Sequence, residues 1–249
     1  MADPRAVAGQ APRPQPRLSV IVPVYNEEGI LSSSVAGLRE GLDELGLPYE
    51  IILAENGSTD GTRDLLAGIA ARIPEVRWQT SPEPNYGRAL RQAILSARGE
   101  YVICDEIDIC DASFHRTALE ILTSGRADLV IGSKLLSGAE DRRPVLRHSA
   151  SLFYNALLRI TLGFRGTDTH GLKAFRRKAL LEVTQACRSD RDVFASELVI
   201  RAERSGIRIL EVPVRIAEKR PPSINLVKRV PHVVKNLGRL IVSIRIVRR

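Results

Sequence analysis

Residues 18–28, with the sequence LSVIVPVYNEE, place an apolar run directly before a group of polar side chains. The run Leu18–Val24 is short and rich in valine, which is typical of a strand covered on both faces in a parallel sheet. A second such run, Glu50–Ala54, follows a stretch, Glu27–Leu45, in which apolar residues recur at helical spacing. Strand, helix and strand in this order form the repeating unit of an α/β fold.

The alternation continues along the chain. Gly57–Gly61 (GSTDG) is typical of a turn that opens a helix, with its serine, threonine or aspartate as the N-cap. Apolar runs and helical spacing predict strands at Val76–Gln79, Tyr101–Cys104, Asp128–Ser133 and Ile207–Val214, and helices at Gly87–Ala97, Ser149–Leu162 and Ser196–Ser205. We therefore predict an α/β fold in which helices flank a Rossmann-like, mostly parallel sheet within a single domain.

Polar side chains follow three of the predicted strands. Right-handed crossovers bring the loops after parallel strands to one edge of the sheet, where ligands bind in such folds. The residues concerned are Asn26, Glu27 and Glu28, then Glu55, Asn56 and Asp60, then Asp105, Glu106 and Asp108. Acidic groups converging from three loops exceed what the fold needs, so we predict a ligand site here; solvated loops are the alternative.

Two common nucleotide-binding motifs are missing from the sequence. No G-x-G-x-x-G follows the first strand, and no G-x-x-x-x-G-K-[ST] occurs anywhere. This argues against a dinucleotide-dependent oxidoreductase and against a P-loop NTPase.

The chain of 249 residues has a net charge of +8, which favours anionic partners. Aromatic residues make up only 4%, too few for a base-stacking surface, and no nucleic-acid recognition motif occurs. We therefore expect no nucleic-acid partner. From Lys219 to Arg249 the only charged side chains are basic.

The C-terminal stretch Val233–Arg249 predicts a basic amphipathic helix suited to an anionic membrane surface, while a helix packed on the core is the alternative. We expect three segments: a disordered leader at residues 1–17, the main domain at 18–230 and this helix at 231–249. No apolar run is long enough to span a bilayer, and three cysteines without metal-site spacing suggest reduced thiols. The expected location is cytoplasmic, peripheral at the cytoplasmic face of the membrane.

Two segments resemble a known family. Ile21–Glu28 (IVPVYNEE) is similar to the opening of family 2 inverting glycosyltransferases with the GT-A fold, and Glu55–Thr62 (ENGSTDGT) resembles their second nucleotide-binding segment. Within that family the likeness is strongest to the dolichol- and polyprenyl-phosphate mannose or glucose synthases. It rests on Gly132–Lys134, Asp168–Arg176, Glu211–Val214 and Arg220–Asn225, and it covers roughly residues 18–235.

The resemblance implies a nucleoside-diphosphate sugar as donor. Glu55 would then accept hydrogen bonds from the edge of the nucleobase, with guanine and uracil both open. The other implied donor-binding residues are Pro23, Tyr25, Glu27, Asn56, Asp60, Arg88, Asp105, Glu106 and Arg220.

The resemblance also implies a divalent cation, Mg²⁺ or Mn²⁺, that neutralises the leaving diphosphate. Family members hold it with an Asp-x-Asp after the fourth strand, and the equivalent residues here are Glu106 and Asp108. Asp105 and Asp111 flank this pair and could substitute for either member. Cys110 stands where a polar oxygen ligand is common, and a thiol is a poor ligand for these cations.

A polyprenyl phosphate is the acceptor that the resemblance implies, at an anionic membrane surface. The residues matching the family's phosphate-binding and closing loops are Lys134, Arg147, Lys219 and Ser223. A phosphate oxygen is already anionic and needs little help from a base. If a base is used, the candidates are Asp168 and Glu197, with Asp108 as a further catalytic residue.

The predicted function is inverting transfer of one sugar from a nucleoside-diphosphate sugar to a polyprenyl (dolichyl-type) phosphate. One alternative is transfer to a soluble or saccharide hydroxyl, which would require a base with a pKa near neutrality. A non-catalytic protein that binds nucleotide sugars is the other, motivated by Glu106 and Cys110.

Overall fold

The computed structural model describes residues 14–81, 83–141, 145–190, 193–216 and 226–245. Its main sheet has seven strands: β1 (Leu18–Val24), β2 (Tyr49–Glu55), β3 (Val76–Thr80), β4 (Tyr101–Cys104), β5 (Leu129–Ser133), β7 (Leu172–Arg176) and β8 (Ile209–Pro213). They lie in the order β3-β2-β1-β4-β7-β5-β8. A short parallel pair, β6 (Glu140–Asp141) and β9 (Arg215–Ile216), stands apart.

The helices of the described residues are α1 (Leu31–Asp43), α2 (Thr62–Arg72), α3 (Tyr86–Ser96), α4 (Ala112–Thr123), α5 (Val145–Leu162), α6 (Arg177–Ala186), α7 (Phe194–Arg204) and α8 (Leu226–Arg245). They cover both faces of the sheet. Along β1, Ile21 packs into the core beneath α3, α6, α7 and α8, while its neighbours Val20 and Val22 pack beneath α1, α2 and α4. Two buried faces explain why the strand is an unbroken apolar run.

The α/β prediction is confirmed, and β1 and β4 have the predicted bounds. The helix after β1 begins at Leu31 rather than Glu27, because Asn26 turns the chain with a positive φ of 55°. The N-cap of α2 is Gly61, not one of the three polar residues before it; Asp60 instead accepts a hydrogen bond from the amide of Thr62 at 3.1 Å.

Strand β7 is missing from the sequence-based assignment. It runs antiparallel between β4 and β5, in the middle of the sheet. Its sequence, LKAFR, breaks the apolar run with Lys173, yet that residue is buried with 3% exposure. The strand therefore lacks the pattern that identified its neighbours.

The two ends of the main domain also differ from expectation. Arg17, the last residue of the predicted leader, already donates its amide to the carbonyl of Pro48 at 2.7 Å. Helix α8 begins at Leu226 rather than residue 231. Its side chains Leu237, Leu240 and Ile244 belong to the core. Along residues 235–245 the apolar face of the helix therefore packs on the core, which is the alternative to a membrane-surface helix given above.

No helix of the described residues is both long enough and apolar enough to cross a bilayer. None of the three cysteines forms a disulfide; Cys104 and Cys187 are buried, and Cys110 is half-buried.

Gly171, directly before β7, allows the backbones of β5 and β7 to pack closely, and a substitution there tests this packing. A Cβ added there would lie 1.9 Å from the carbonyl oxygen of Gly132 in β5, so the backbones must separate. We expect Gly171→Ala to lower the free energy of unfolding by about 1–3 kcal/mol, the usual cost of overpacking. Urea unfolding monitored by circular dichroism measures it.

Gly37→Ala is the matched control, because a Cβ at this position in α1 meets nothing within 4 Å. It should leave stability unchanged or raise it by up to about 1 kcal/mol through helix propensity. Equal losses in the two variants would contradict the packing argument.

Candidate active site at the carboxyl edge of the sheet

The loops after β1 and β2 are joined to each other by hydrogen bonds. Asn26 accepts the amide of Thr59 at 2.8 Å, and Glu28 accepts the amide of Gly61 at 3.0 Å. Asp60 accepts the amide of Glu28 at 3.3 Å in return. Several polar residues at this edge therefore build the walls of the site.

Other predicted donor-binding residues lie on the same loops. Pro23 is buried within β1, opposite Ala54 of β2. Tyr25 projects into solvent with 44% exposure, and the amide of Glu27 donates to the hydroxyl of Thr62 at 2.9 Å. An exposed tyrosine beside a fixed loop is available to contact a nucleotide.

Glu55 is fully buried at the end of β2, and protein groups already occupy both of its oxygens. The amide of Ser58 and the hydroxyl of Thr80 donate to it, and Arg63 Nε lies 3.2 Å away. Burial alone would raise the pKa of Glu55, but these hydrogen bonds and the charge of Arg63 hold it below its usual range. This differs from the implied contact with a nucleobase, since Glu55 here fixes the turn that would carry one.

The loop between β3 and α3 is fixed to the same turn. Asn56 accepts the backbone amide of Asn85, and the side chain of Asn85 caps α3 by accepting the amide of Arg88 at 3.0 Å. The guanidinium of Arg88 points to Asp190, at 3.3 Å. The structure thus places Arg88 at the start of α3, beside the segment that precedes α7.

The register of the acidic group after β4 follows from its hydrogen bonds. Asp105 is buried against His115 Nε2, at 2.5 Å, and its other oxygen accepts the amide of Glu106. Asp111 is the N-cap of α4 and accepts the amides of Ser113 and Phe114. Both flanking acids therefore have partners within the protein, whereas Glu106 and Asp108 are the pair that the resemblance implies for the cation.

Glu106 is half-buried next to a tyrosine hydroxyl and two further acids. Its Oε1 accepts the hydroxyl of Tyr86 at 3.0 Å. Burial, with further contributions from the negative charges of Asp108 and Asp105, raises the pKa of Glu106 to about 7. A positive ion bound between these carboxylates would favour the ionised form.

The donor set suits Mg²⁺ or Mn²⁺ only in part. Glu106 and Asp108 supply the hard oxygen ligands that these ions prefer, whereas Cys110 Sγ turns back to the carbonyl of Glu106, at 3.6 Å. Within the described ranges, no three His, Cys, Asp or Glu side chains are placed to hold a metal on their own. One or two carboxylates completed by phosphate oxygens is the usual arrangement for Mg²⁺. The residues present fit that arrangement.

Asp168 lies in the loop before β7 and is 1% exposed. Its Oδ1 accepts the amide of His170 at 2.8 Å, and Lys134 Nζ stands 3.5 Å from its Oδ2. Burial would raise the pKa of Asp168, but the charge of Lys134 and the amide of His170 lower it overall. Asp168 is therefore ionised at neutral pH and poorly tuned to act as a general base.

Two residues that organise this loop lie in segments that carry the resemblance, but neither is among the predicted site residues. Glu211 of β8 accepts both the amide and the hydroxyl of Thr167 at 2.8 Å, and Ser133 contacts the same hydroxyl. The ammonium group of Lys173 influences the ionisation of both Glu106 and Asp168. No sequence pattern marks either role, because each depends on a strand pairing.

Glu197 is fully buried near the start of α7, and four groups donate to its two oxygens. They are the amides of Arg188 and Ser189, Nε of Arg201 and the hydroxyl of Ser243. Burial would raise the pKa of Glu197, yet these hydrogen bonds hold it below its usual range. This differs from the predicted role as a base: its oxygens fasten three segments of the chain.

Four predicted residues cannot be placed in the site. Lys219, Arg220 and Ser223 lie outside the described residues. Arg147 falls within α5, in the part of that helix whose side chains are not described.

The comparisons with known proteins agree with this geometry. The family described as Glycosyl transferase family 2 matches residues 19–184, more than half of the chain. The chain belongs to this family. The matched region contains Glu55, Glu106, Asp108, Lys134 and Asp168, which lie at or near the carboxyl edge of the sheet.

Curated relatives include a glycosyltransferase and transferases named for dolichyl phosphate. Glycosyltransferase AglD of Haloferax volcanii is 29% identical over 93% of this chain, and dolichyl-phosphate beta-glucosyltransferase of Saccharomyces cerevisiae is 28% identical over 78%. The chain spans only 39% and 66% of these proteins. A dolichyl-phosphate hexose transferase of H. volcanii is 27% identical, over 81% of this chain and 83% of its own.

Similar solved structures share the GT-A fold of this family. Glucosyl-3-phosphoglycerate synthase from Mycobacterium tuberculosis, with Mn²⁺, UDP and phosphoglyceric acid, superimposes with a TM-score of 0.65 at 21% identity, over 91% of this chain and 78% of its own. Mannosyltransferase PcManGT from Pyrobaculum calidifontis, with GDP-Man and Mn²⁺, gives 0.58 at 23%, over 96% and 68%. The GT-A prediction is confirmed.

Manganese binding tests the carboxylate pair. We expect Glu106→Gln and Asp108→Asn each to weaken Mn²⁺ binding in the presence of UDP or GDP by about tenfold or more, since each removes a charged ligand. Electron paramagnetic resonance of free Mn²⁺ measures this. Asp111→Asn is the control, because asparagine also caps a helix. An equal loss in the control would contradict the assignment.

Glu197→Gln tests whether the buried carboxylate is structural. Removing its charge leaves Arg201 without its ion-pair partner, so we expect a loss of about 3–5 kcal/mol in unfolding free energy at pH 7. The folded-state pKa of Glu197 is depressed, so its contribution is present above about pH 4.3, the unfolded value. It is lost as pH falls through the folded value.

Urea unfolding of both proteins at a series of pH values measures this, and the difference between them should shrink under acidic conditions. A variant of unchanged stability that loses only its transfer rate would instead support the catalytic role.

Proposed function

We propose that the protein transfers one hexose from a nucleoside-diphosphate sugar to a polyprenyl phosphate, inverting the anomeric centre. The observation that carries this proposal is the pairing of Lys134 with the ionised, buried Asp168 in the loops facing the Glu106–Asp108 pair. On one side of the site, the carboxylates of Glu106 and Asp108 could bind a metal ion. On the other side, the ammonium group of Lys134 could bind a phosphate.

Glu106 and Asp108 form the donor side. A divalent cation held there would neutralise the charge that develops on the leaving diphosphate. Solved relatives of the same fold contain Mn²⁺ together with UDP or GDP-Man, which supports a nucleotide sugar as donor. Tyr25 and the joined loops after β1 and β2 would position the nucleotide.

The acceptor side favours a phosphate over a hydroxyl. Both candidate bases, Asp168 and Glu197, have pKa values below the usual range, so neither is suited to remove a proton from a sugar hydroxyl near pH 7. A phosphate oxygen attacks without proton removal. Lys134 would hold that phosphate as a point charge, and one in-line displacement then inverts the anomeric centre.

An anionic membrane surface would present such an acceptor. Helix α5 exposes apolar side chains, among them Phe153 at 67% and Ile160 at 80%, and Val242 of α8 is exposed nearby. Neither α5 nor α8 contains an Asp or Glu in its sequence. Exposed apolar side chains on helices with basic but no acidic residues are the features of a peripheral membrane contact. We place this contact at the cytoplasmic face.

A labelled-sugar assay tests the proposed function. GDP-mannose, UDP-glucose and UDP-N-acetylglucosamine are each offered with polyprenyl phosphate or with short saccharides, in Mn²⁺, Mg²⁺ or chelator. We expect label in the lipid from one donor and none with chelator. Transfer to saccharides but not to the lipid would reject the proposed acceptor.

Lys134→Ala should raise KM for the lipid phosphate by about tenfold with a smaller effect on KM for the donor, because a charge-assisted contact contributes about 1.5–3 kcal/mol. Lys134→Arg should recover most of this loss. The control is Lys178→Ala, an exposed lysine on α6. A change in donor KM alone would place Lys134 on the other side of the site.

Vesicle flotation tests the membrane surface. Wild type should float with phosphatidylglycerol vesicles and much less with phosphatidylcholine, and Ile160→Asp should reduce flotation by about tenfold through lost apolar burial and added repulsion. Thr123→Asp in α4, on the opposite face of the sheet, is the control. Undiminished flotation of the Ile160 variant would reject this surface.

A further inference from the structure

A cavity of about 470 Å³ lies between the start of α3, the segment Arg188–Asp190 ahead of α7, and helix α8. The residues around it are Glu83, Pro84, Asn85, Arg88, Arg188, Ser189, Asp190, Val193, Asn236, Arg239 and Ser243. Its size is that of a site for a small organic ligand. None of the groups assigned above to the donor cation or to Lys134 contributes to it.

Three arginines face this cavity from three different elements. Arg88 forms an ion pair with Asp190 at 3.3 Å. Arg188 and Arg239 make no ion pair with any residue that the structure describes. The remaining acid, Glu83, is exposed at the rim, as are Arg188 and Arg239, and solvent screens the charges of all three. Two guanidinium groups are therefore available to an anion.

Asn236 adds a side-chain amide to the α8 wall of the cavity. The residue is 6% exposed, and its amide forms no hydrogen bond with the residues that the structure describes. Its amide atoms are not themselves buried, so they are open to the cavity and available to a polar ligand. Ser189 and Ser243 add hydroxyls to the same lining.

The walls of the cavity are held in place by a single carboxylate. Glu197 accepts the amides of Arg188 and Ser189 on one wall and the hydroxyl of Ser243 on the other. Because these walls are already fixed, ligand binding costs them little conformational entropy, and this favours affinity.

We infer that this cavity binds a phosphomonoester, with Arg188 and Arg239 on the phosphate oxygens and Asn236 on the attached polar group. A guanidinium matches phosphate oxygens with two parallel hydrogen bonds. The ligand is a small phosphorylated molecule or the phosphate headgroup of a lipid, which share this chemistry. Binding does not depend on the proposed transfer reaction.

The cavity adjoins the donor side: its lining includes Arg88, one of the implied donor-binding residues, but neither Glu106 nor Asp108. Asn85 and Arg88 face the cavity, whereas the neighbouring Tyr86 directs its hydroxyl to Glu106. A phosphomonoester should therefore bind while a nucleoside diphosphate is already present.

Isothermal titration with glycerol 3-phosphate tests this inference, in the presence of saturating UDP or GDP with Mn²⁺. We expect binding to the wild type and about tenfold weaker binding to Arg188→Gln and to Arg239→Gln, as each loses a charge-assisted contact. Arg116→Gln is the control, because this arginine of α4 forms an exposed ion pair with Glu44 at the end of α1. Circular dichroism confirms that each variant is folded.

The inference is overturned by any of three results: absence of binding, equal weakening in the control, or displacement of glycerol 3-phosphate by the nucleoside diphosphate. The last result would make the cavity part of the donor site. A second titration uses citronellyl phosphate, a short prenyl phosphate. Tighter binding of citronellyl phosphate identifies a lipid headgroup as the source of the ligand, and tighter binding of glycerol 3-phosphate identifies a soluble one.

Discussion

Lys173 carries its ammonium group into the middle of the protein, where the carbonyl oxygen of Gly171 accepts a hydrogen bond from it at 2.7 Å. Burial lowers the pKa of this lysine, while the carboxylates of Asp168 and Glu106 act in the opposite direction. A buried charge of this kind is tolerated only with such partners. Its position on β7 therefore constrains the two acidic loops on either side of it.

The position of Lys173 is fixed by the pairing of β7 with both of its neighbours. β7 must deliver Lys173 beside Cys104 of β4 and Ile131 of β5, and Gly171 permits the close approach at its start. The loop before the strand then presents Asp168 to Lys134. The buried side chain of Lys173 therefore connects the packing of the sheet with the positions of the acidic residues in the site.

The sequence predicts those strands whose residues are determined mainly by burial on both faces of the sheet. β1 and β2 are apolar because helices cover both faces, so their patterns reveal them. β7 instead contains a buried charge, Lys173, whose partners include residues distant in the chain. No local sequence pattern reveals such an arrangement. Glu55 and Glu197 could not be assigned from the sequence for the same reason. A glutamate can bind a ligand or act as a base, but in both residues the carboxylate oxygens accept hydrogen bonds from neighbours that only the fold reveals. Conversely, only the fold shows that Asp105 contacts His115 and that Asp111 caps α4, two contacts that no sequence pattern indicated.

The three thiols differ in a way that makes the protein convenient to probe. Burial raises the pKa of Cys104 to about 12 and also raises that of Cys187, whereas Cys110 keeps partial contact with solvent. Thiolate-dependent reagents select for accessibility and ionisation together. A maleimide dye should therefore attach at Cys110, two residues from Asp108, and peptide mapping of the labelled protein checks the position. The wild-type sequence thus offers a single reporter beside the carboxylate pair without the introduction of a new cysteine.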